Sequence, residues 1–489
     1  MKFHVSSSLP KTVDALVWPV EEGKKPIQNE RRLPKDSIRE LKRELKAVKF
    51  TGKNGQSAVL RAPTGVDAKR IVFIGLGKAP IDTEATRKMM ATAVGLIRPF
   101  GLRTVGISAT SHGEPADTVK AAVEGARLAD YRFDKYRARS EKSPALELYF
   151  WYPTAAKHRE LLQAAQRGFI TAEAQVLARD LVNEPPSELT PRQLAAEAKK
   201  IARRHGLRVT VQGPKQIEKL GMRGYLAVAK GSDEPPRLIK LQYAPARPKK
   251  HVVLVGKGIT FDAGGLNLKP SRGGMLETMK MDMAGAAAAI GAISAAKALK
   301  VPAKVTVYVG ATENLLGGSA YKPGDVVKTY NGQTIEIGNT DAEGRVTLAD
   351  ILAYAAKKEK PDAMIDLATL TDTEIALGPD YAALFYNDDR LGKRLKQAGE
   401  ASGEKLWELP MPDSYDEMTK SKVADFSNIV PNRAYTLSGP LLLKHFVGKT
   451  KWAHIDIGGP AWADREKAYW KHGGTGFGVR LLLDYLANP

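Results

Sequence analysis

Cysteine is missing from all 489 residues. That removes disulfides, thiolate metal sites and a cysteine nucleophile together. Histidine is scarce, at eight residues, and no H-E-x-x-H occurs. There is no G-x-S-x-G either. Any hydrolytic chemistry has to rest on other groups. Long apolar runs are lacking too. The longest uncharged stretch of small residues, Met283 to Ala296, is too short to cross a bilayer and reads as a buried helix. The first twenty residues contain no apolar core of a secretory leader. These absences set a cytoplasmic location as the expectation.

What is present reads as an ordinary globular chain, 43% hydrophobic and 26% charged, long enough for two to four domains. Its net charge of +21 is unevenly spread. About 28 Lys and Arg stand against about 17 Asp and Glu in residues 1–155, so half the excess sits in a third of the chain. A polyanion-binding face is one reading. A solvated basic surface is the other, favoured because no basic run is interleaved with aromatics.

The N-terminal part alternates strand-like runs, "RIVFIGLG" (Arg70–Gly77) and "RTVGISA" (Arg103–Ala109), with a helix expected over Thr83–Ile97. Gly77–Lys78 invites a phosphate-loop reading. That loop needs glycine where Val72 stands, so the reading fails. A helical stretch over Ala155–Val182 ends at the paired prolines of "NEPPSELTP". The expected organisation is therefore an N-terminal α/β domain over 1–154, a connecting helix over 155–182 and a larger α/β domain over 183–489. In the latter, strands are expected at His251–Val255, Val305–Val309, Ala363–Leu367 and Trp452–Ile457. Helices are expected at Met283–Leu299 and Thr347–Lys357. The pattern predicts a mostly parallel sheet with helices on both faces, whose functional groups gather at the carboxyl ends of the strands.

Three segments place charged residues there. "HVVLVGKGITFDAGGLNLKP" carries Lys257, Asp262 and Lys269, and "MKMDMAGAAAAIGAISAAKAL" carries Asp282. "IEIGNTDAEGRVTLADILAYAAKK" carries Asp341, Glu343 and Arg345. Asp341 and Glu343 are two apart, so in an extended turn they point the same way, whereas on a helix they diverge. Taken singly, Asp282 reads as a helix N-cap, Asn339–Asp341 as another cap, and the lysines as surface charges. Taken jointly, four carboxylates at one sheet edge repel unless cations neutralise them. Oxygen-rich sites suit hard or borderline divalent cations.

"VGKGITFDAGG", "KMDMAGAA" and above all "NTDAEGR" resemble the leucyl (cytosol) aminopeptidase family of dinuclear metallopeptidases. The resemblance continues in "ARDLVNEPPSELTP", "DLATLT", "AHIDIGGPAW" and "GGTGFGVRLLLDYL", from about Ala178 to the C-terminus. It implies that Lys257 and Asp282 ligate one metal, Asp341 the other, and Asp262 and Glu343 both. Lys269 and Arg345 would be the catalytic pair outside the ligand set. Two cations about 3.5–4 Å apart make hydroxide from a shared water at neutral pH. Lys269 would face the developing oxyanion. Arg345 would fork a planar anion, bicarbonate in this family, acting as general base. Zn, Mn, Co and Mg all suit such ligands. The resemblance further implies peptide substrates with a free N-terminus and a homohexamer.

Met279, Thr369, Leu370 and Asp372 would line the substrate pocket. Two features depart from the family pattern. The loop Lys269–Asp282 is about two residues longer than usual. Asp372 stands where the family has glycine, which raises a preference for N-terminal Arg or Lys. The alternative from another class is a nucleic-acid-binding protein using the basic N-terminal domain. A dinuclear phosphoesterase is disfavoured because it would need histidine ligands.

Overall fold

The protein is described by a computed structural model covering all residues except 9–11, 26, 28–33, 110–112, 139–143, 272–274 and 431–433. The chain divides into two compact units. One comprises Met1–Glu173 with Arg465–Lys471, the other Ala174–Asp464 with His472–Pro489. The dividing point falls inside a continuous helix, His158–Asn183. Among the described residues no helix is long and apolar enough to cross a membrane.

The first unit is built on six strands: β1 (Lys2–Ser6), β2 (Val13–Glu21), β3 (Ser57–Arg61), β4 (Ala68–Gly77), β5 (Thr104–Ser108) and β6 (Glu147–Trp151). Their order is β1-β6-β5-β2-β4-β3, parallel throughout except for the β3–β4 edge pair. The helix expected over Thr83–Ile97 is present over that span, its N-terminus capped by the Asp82 carboxylate accepting from the Ala85 N–H.

The second unit has eight strands in its main sheet. In chain order they begin with β7 (Arg208–Gln212), β8 (Arg237–Tyr243), β9 (His251–Asp262) and β10 (Lys304–Asn314). A short side sheet is made by β11 (Val326–Lys328), β12 (Thr334–Glu336) and, later, β16 (Phe426–Ser427). The main sheet continues with β13 (Ala363–Ala368), β14 (Ala382–Tyr386), β15 (Leu406–Glu408) and β17 (Trp452–Asp456). Its order is β15-β14-β17-β13-β9-β10-β8-β7, and the centre, β17-β13-β9-β10, is parallel. A two-domain, mostly parallel α/β architecture is therefore what the chain adopts.

Strand β9 occupies the middle and runs seven residues beyond the expected Val255. Gly256 and Gly258 interrupt the apolar run that sequence patterning follows. They are there for close packing. A Cβ on Gly256 would lie 2.4 Å from the Ala286 Cα of the helix Ala284–Ala296. That helix is buried along its whole length, which only small side chains permit at this distance. On the opposite face Val253 and Val255 join Leu348, Ile351 and Leu352 of the helix Glu343–Glu359 in the core. That helix begins four residues before the expected Thr347.

Candidate metal centre

Lys257 and Asp262 are five apart on β9, which in a regular strand would put them on opposite faces. The register against β10 shifts at this point: Ile259 pairs with Thr312, but Phe261 pairs with Glu313. One extra residue on β9 is a bulge, and it re-aims the side chains beyond it. Lys257 and Asp262 consequently serve one site. Beyond β9 the chain turns through Gly264 at φ +87°, where a Cβ would lie 2.8 Å from Asp341 Oδ1. Only glycine lets the backbone come this close at that angle.

The third segment arrives from β12. Asn428 holds its turn, accepting from the Gly338 and Asn339 N–H groups at 2.7 and 3.2 Å and donating to the Asn339 and Ala342 carbonyls. Thr340 ties it to the glycine turn, donating to the Gly264 carbonyl at 2.7 Å and accepting from the Asn267 N–H at 2.8 Å. Asn314, at the end of β10, donates to Asp262 Oδ1 and to the Thr340 carbonyl, at 2.8 and 3.0 Å. Tyr321 donates to the same carbonyl at 2.7 Å.

The result is one cluster. Oxygens of Asp262, Asp341 and Glu343 lie within 4.8 Å of one another. Lys257 Nζ sits 2.8 Å from Glu343 and 2.7 Å from Asp282, and donates to the Thr369 carbonyl at 2.8 Å. The Thr369 hydroxyl donates to Asp282 at 2.6 Å. Lys269 Nζ lies 2.9 Å from Asp262 and 2.6 Å from Asp341. All five residues expected as ligands, with Lys269, are therefore in one place. Neither cap reading survives. The helices following Asp282 and Asp341 begin at Ala284 and Glu343, with Met283 and Ala342 as their N-cap residues and no side-chain cap bond among the described residues.

Arg345 lies on another side of the helix from Glu343. The helix starts at Glu343, so Arg345 lies within it, and two helical steps turn a side chain by about 200°. Asp341 and Glu343 converge, while Arg345 Nη1 donates to the Asn428 carbonyl at 2.9 Å and the Ser438 hydroxyl at 2.7 Å. Its Nε and Nη2 are buried without partners among the described residues. Leu370 packs beside Gly344 and Gly439. Asp372 is exposed, and Met279 is half-buried at the start of the turn Met279–Met283 that carries Asp282. Residues 272–274 of the loop expected to be long lie outside the described residues. Asn314, Thr340, Asn428, Ser438 and Tyr435 were not singled out from the sequence. The polar end of β10, Thr312–Asn314, following a mostly apolar run was the available signal.

Electrostatics make the cluster cation-seeking. Four carboxylates stand against two ammonium groups. Burial pushes the carboxyls of Asp262 and Asp282 up, and neighbouring carboxylates add to this. Asp341 is pushed up to about 7 by burial and the Asp262 charge. Burial would raise Glu343 as well, but the Lys257 and Lys269 charges hold it below its ordinary value. Burial would lower both lysines, yet the surrounding carboxylates hold them above theirs. Asp282 Oδ2 is buried and has no partner among the described residues. An excess of acid and an orphaned carboxylate oxygen fit a donor set awaiting divalent cations.

A mostly parallel α/β sheet that collects such a cluster at its carboxyl edge defines the class as a metallohydrolase. Comparison with known proteins narrows this. The profile of the cytosol aminopeptidase family, catalytic domain, matches residues 176–483, and that of the family's N-terminal domain matches residues 17–140. A probable cytosol aminopeptidase of Geobacter sulfurreducens is 44% identical over 89% of this chain and 88% of its own. One of Aquifex aeolicus is 42% identical over 93% and 92%. Among solved structures, a tomato leucine aminopeptidase mutant superposes with TM-score 0.88 at 33% identity, covering 100% of this chain and 97% of that one. The bottromycin maturation enzyme BotP in complex with Mn gives 0.86 at 35%, covering 97% and 99%. The chain belongs to the cytosol aminopeptidase family and is a metal-dependent aminopeptidase.

Proposed function

We propose that the enzyme releases N-terminal residues from peptides at a two-metal centre seated on this acid cluster. The carrying observation is the excess of four carboxylates, Asp262, Asp282, Asp341 and Glu343, over the two lysines paired with them, together with an Asp282 oxygen that has no partner among the described residues. Lys257 and Asp282 would hold one cation, Asp341 the other, and Asp262 and Glu343 both. When bound, two divalent cations supply an acidified water and Lewis-acid polarisation of the carbonyl. The Mn of the BotP structure supports Mn as one acceptable ion; Zn, Co and Mg suit the same donors.

The chain's own residues do the rest. To hold a cation Lys257 would have to be the neutral amine, a state that nearby positive charge favours. Lys269, held protonated by Asp262 and Asp341, presents an ammonium to the oxyanion that forms at the scissile carbonyl. Arg345 offers the free Nε–Nη2 edge, the geometry that grips a planar oxyanion with two hydrogen bonds. Bicarbonate held there would take the proton of the attacking water. Thr369, Leu370, Met279 and Asp372 would bound the side-chain pocket, with the exposed Asp372 carboxylate favouring Arg or Lys.

The family resemblance also supports a homohexamer, which sedimentation tests. Only the basic surplus of the first third supports nucleic-acid binding, and a steep salt dependence of duplex affinity would establish it. The main test is hydrolysis of Leu-, Arg- and Asp-p-nitroanilide with Mn or Zn and after chelation. Turnover that chelation abolishes and metal restores is the expected result. Absence of turnover with every metal would refute the reading.

A further inference from the structure

An aromatic ring lies beside the Arg345 guanidinium, at cation–π distance. Tyr435 lies with its ring centroid 5.9 Å from Arg345 Cζ. It opens the helix Tyr435–Leu443, directly after Ala434, whose φ of +49° is a left-handed conformation that alanine rarely adopts. Such strained turns persist where the surroundings over-determine them, and they concentrate at functional sites. Here the turn delivers two contacts from one helical turn. The Tyr435 ring stands beneath the Arg345 cation, and Ser438, three residues on, accepts from Nη1 at 2.7 Å. With the Asn428 carbonyl also on Nη1, that nitrogen is committed. The edge made by Nε and Nη2 is buried and has no partner among the described residues.

We propose that Tyr435 is a positioning residue for catalysis, stacking on Arg345 so that its free edge is fixed for a planar oxyanion of the carbonate class. This rests on the oxyanion reading of Arg345 given above. The ring fixes the plane of the guanidinium and keeps water from that face, where a desolvated cation attracts an anion more strongly. The anion lies in the guanidinium plane, so the electron-rich ring face does not oppose it. The phenol is also within electrostatic reach of Asp372, Asp341 and Glu343. Burial raises its pKa against the opposing Arg345 charge, so no phenolate competes with the anion at neutral pH. Tyr435 is 41% exposed, so the ring is not part of the core.

The test is bicarbonate stimulation of the metal-loaded enzyme in carbonate-depleted buffer, for wild type, Tyr435→Phe, Tyr435→Leu and Tyr435→Met. The half-saturating bicarbonate concentration should rise about threefold to tenfold in the Leu and Met variants, the loss of one cation–π contact. Tyr435→Phe should keep the wild-type value, because it keeps the ring. An unchanged half-saturation in both aliphatic variants, with wild type responsive, would overturn the role of Tyr435 alone. A shift in Tyr435→Phe as large as in Tyr435→Leu would overturn stacking in favour of the hydroxyl. A wild type indifferent to bicarbonate would overturn the oxyanion reading, and this inference with it.

Discussion

Lys257 and Asp282 meet at 2.7 Å, both out of solvent, and yet the second oxygen of that carboxylate has no partner among the described residues. An ammonium ion bridges Asp282 and Glu343 on one side, and Lys269 bridges Asp262 and Asp341 on the other. The two lysines thus supply part of the positive charge the acids require. Chelated enzyme should therefore remain folded but melt lower than metal-loaded enzyme. A ligand at about a hundred times its Kd adds about 2.7 kcal/mol per site to a state that alone binds it. Differential scanning fluorimetry with Mn, with Zn and after chelation reads this. An identical Tm under all three conditions would contradict the metal centre.

Lys269 is proposed to act on the oxyanion without ligating metal, and these roles separate experimentally. Lys269→Met keeps the aliphatic stem and removes the charge. Loss of one preorganised donor to an oxyanion costs about 10²–10³ in kcat. Metal content by elemental analysis should stay at the wild-type level. Metal lost in parallel with activity would make Lys269 a site-assembly residue instead.

The charged residues of the centre were legible in the sequence because they occur jointly, each next to an expected strand end, in segments that resemble the family's motifs; taken singly each had a structural explanation. Their supports were not. The β9 bulge that aligns Lys257 with Asp262 leaves no pattern in a run punctuated by Gly256 and Gly258, since both glycines answer to packing partners distant in sequence. The early helix start at Glu343 was hidden because polar first-turn residues carry no apolar period. Tyr435 and Ser438 matter through Arg345, some ninety residues away, and no local signal marks such a pair.

Asp372 is proposed to favour basic first residues, and its exposure limits how much it can do. Surface ion pairs contribute about 0.2–1 kcal/mol, so Asp372→Gly should lower the Arg-to-Leu ratio of kcat/KM by about twofold to fivefold. The effect should shrink at high salt. An unchanged ratio removes the basic preference and leaves the aminopeptidase intact.

Asp350 anchors the helix that presents Glu343 and Arg345, and its charge state should make that anchoring pH-dependent. Its carboxylate accepts from the Tyr225 and Tyr330 N–H groups at 2.8 and 2.6 Å, but burial pushes its pKa up to about 7. In the unfolded chain it titrates at about 3.9. Between these values the folded state holds the extra proton, so stability falls as pH rises. The contribution is fully present below the unfolded pKa and is lost as pH rises through the folded one. Asp350→Asn cannot titrate. The stability advantage of wild type over this variant should therefore shrink by about 2–3 kcal/mol between about pH 5 and about pH 8. Urea midpoints of both proteins at the two pH values measure it, and comparing the pair cancels the titration of every other group. A gap that stays constant, or widens toward high pH, would mean that the backbone N–H donors keep Asp350 ionised throughout, and that this helix is held by a permanent charge.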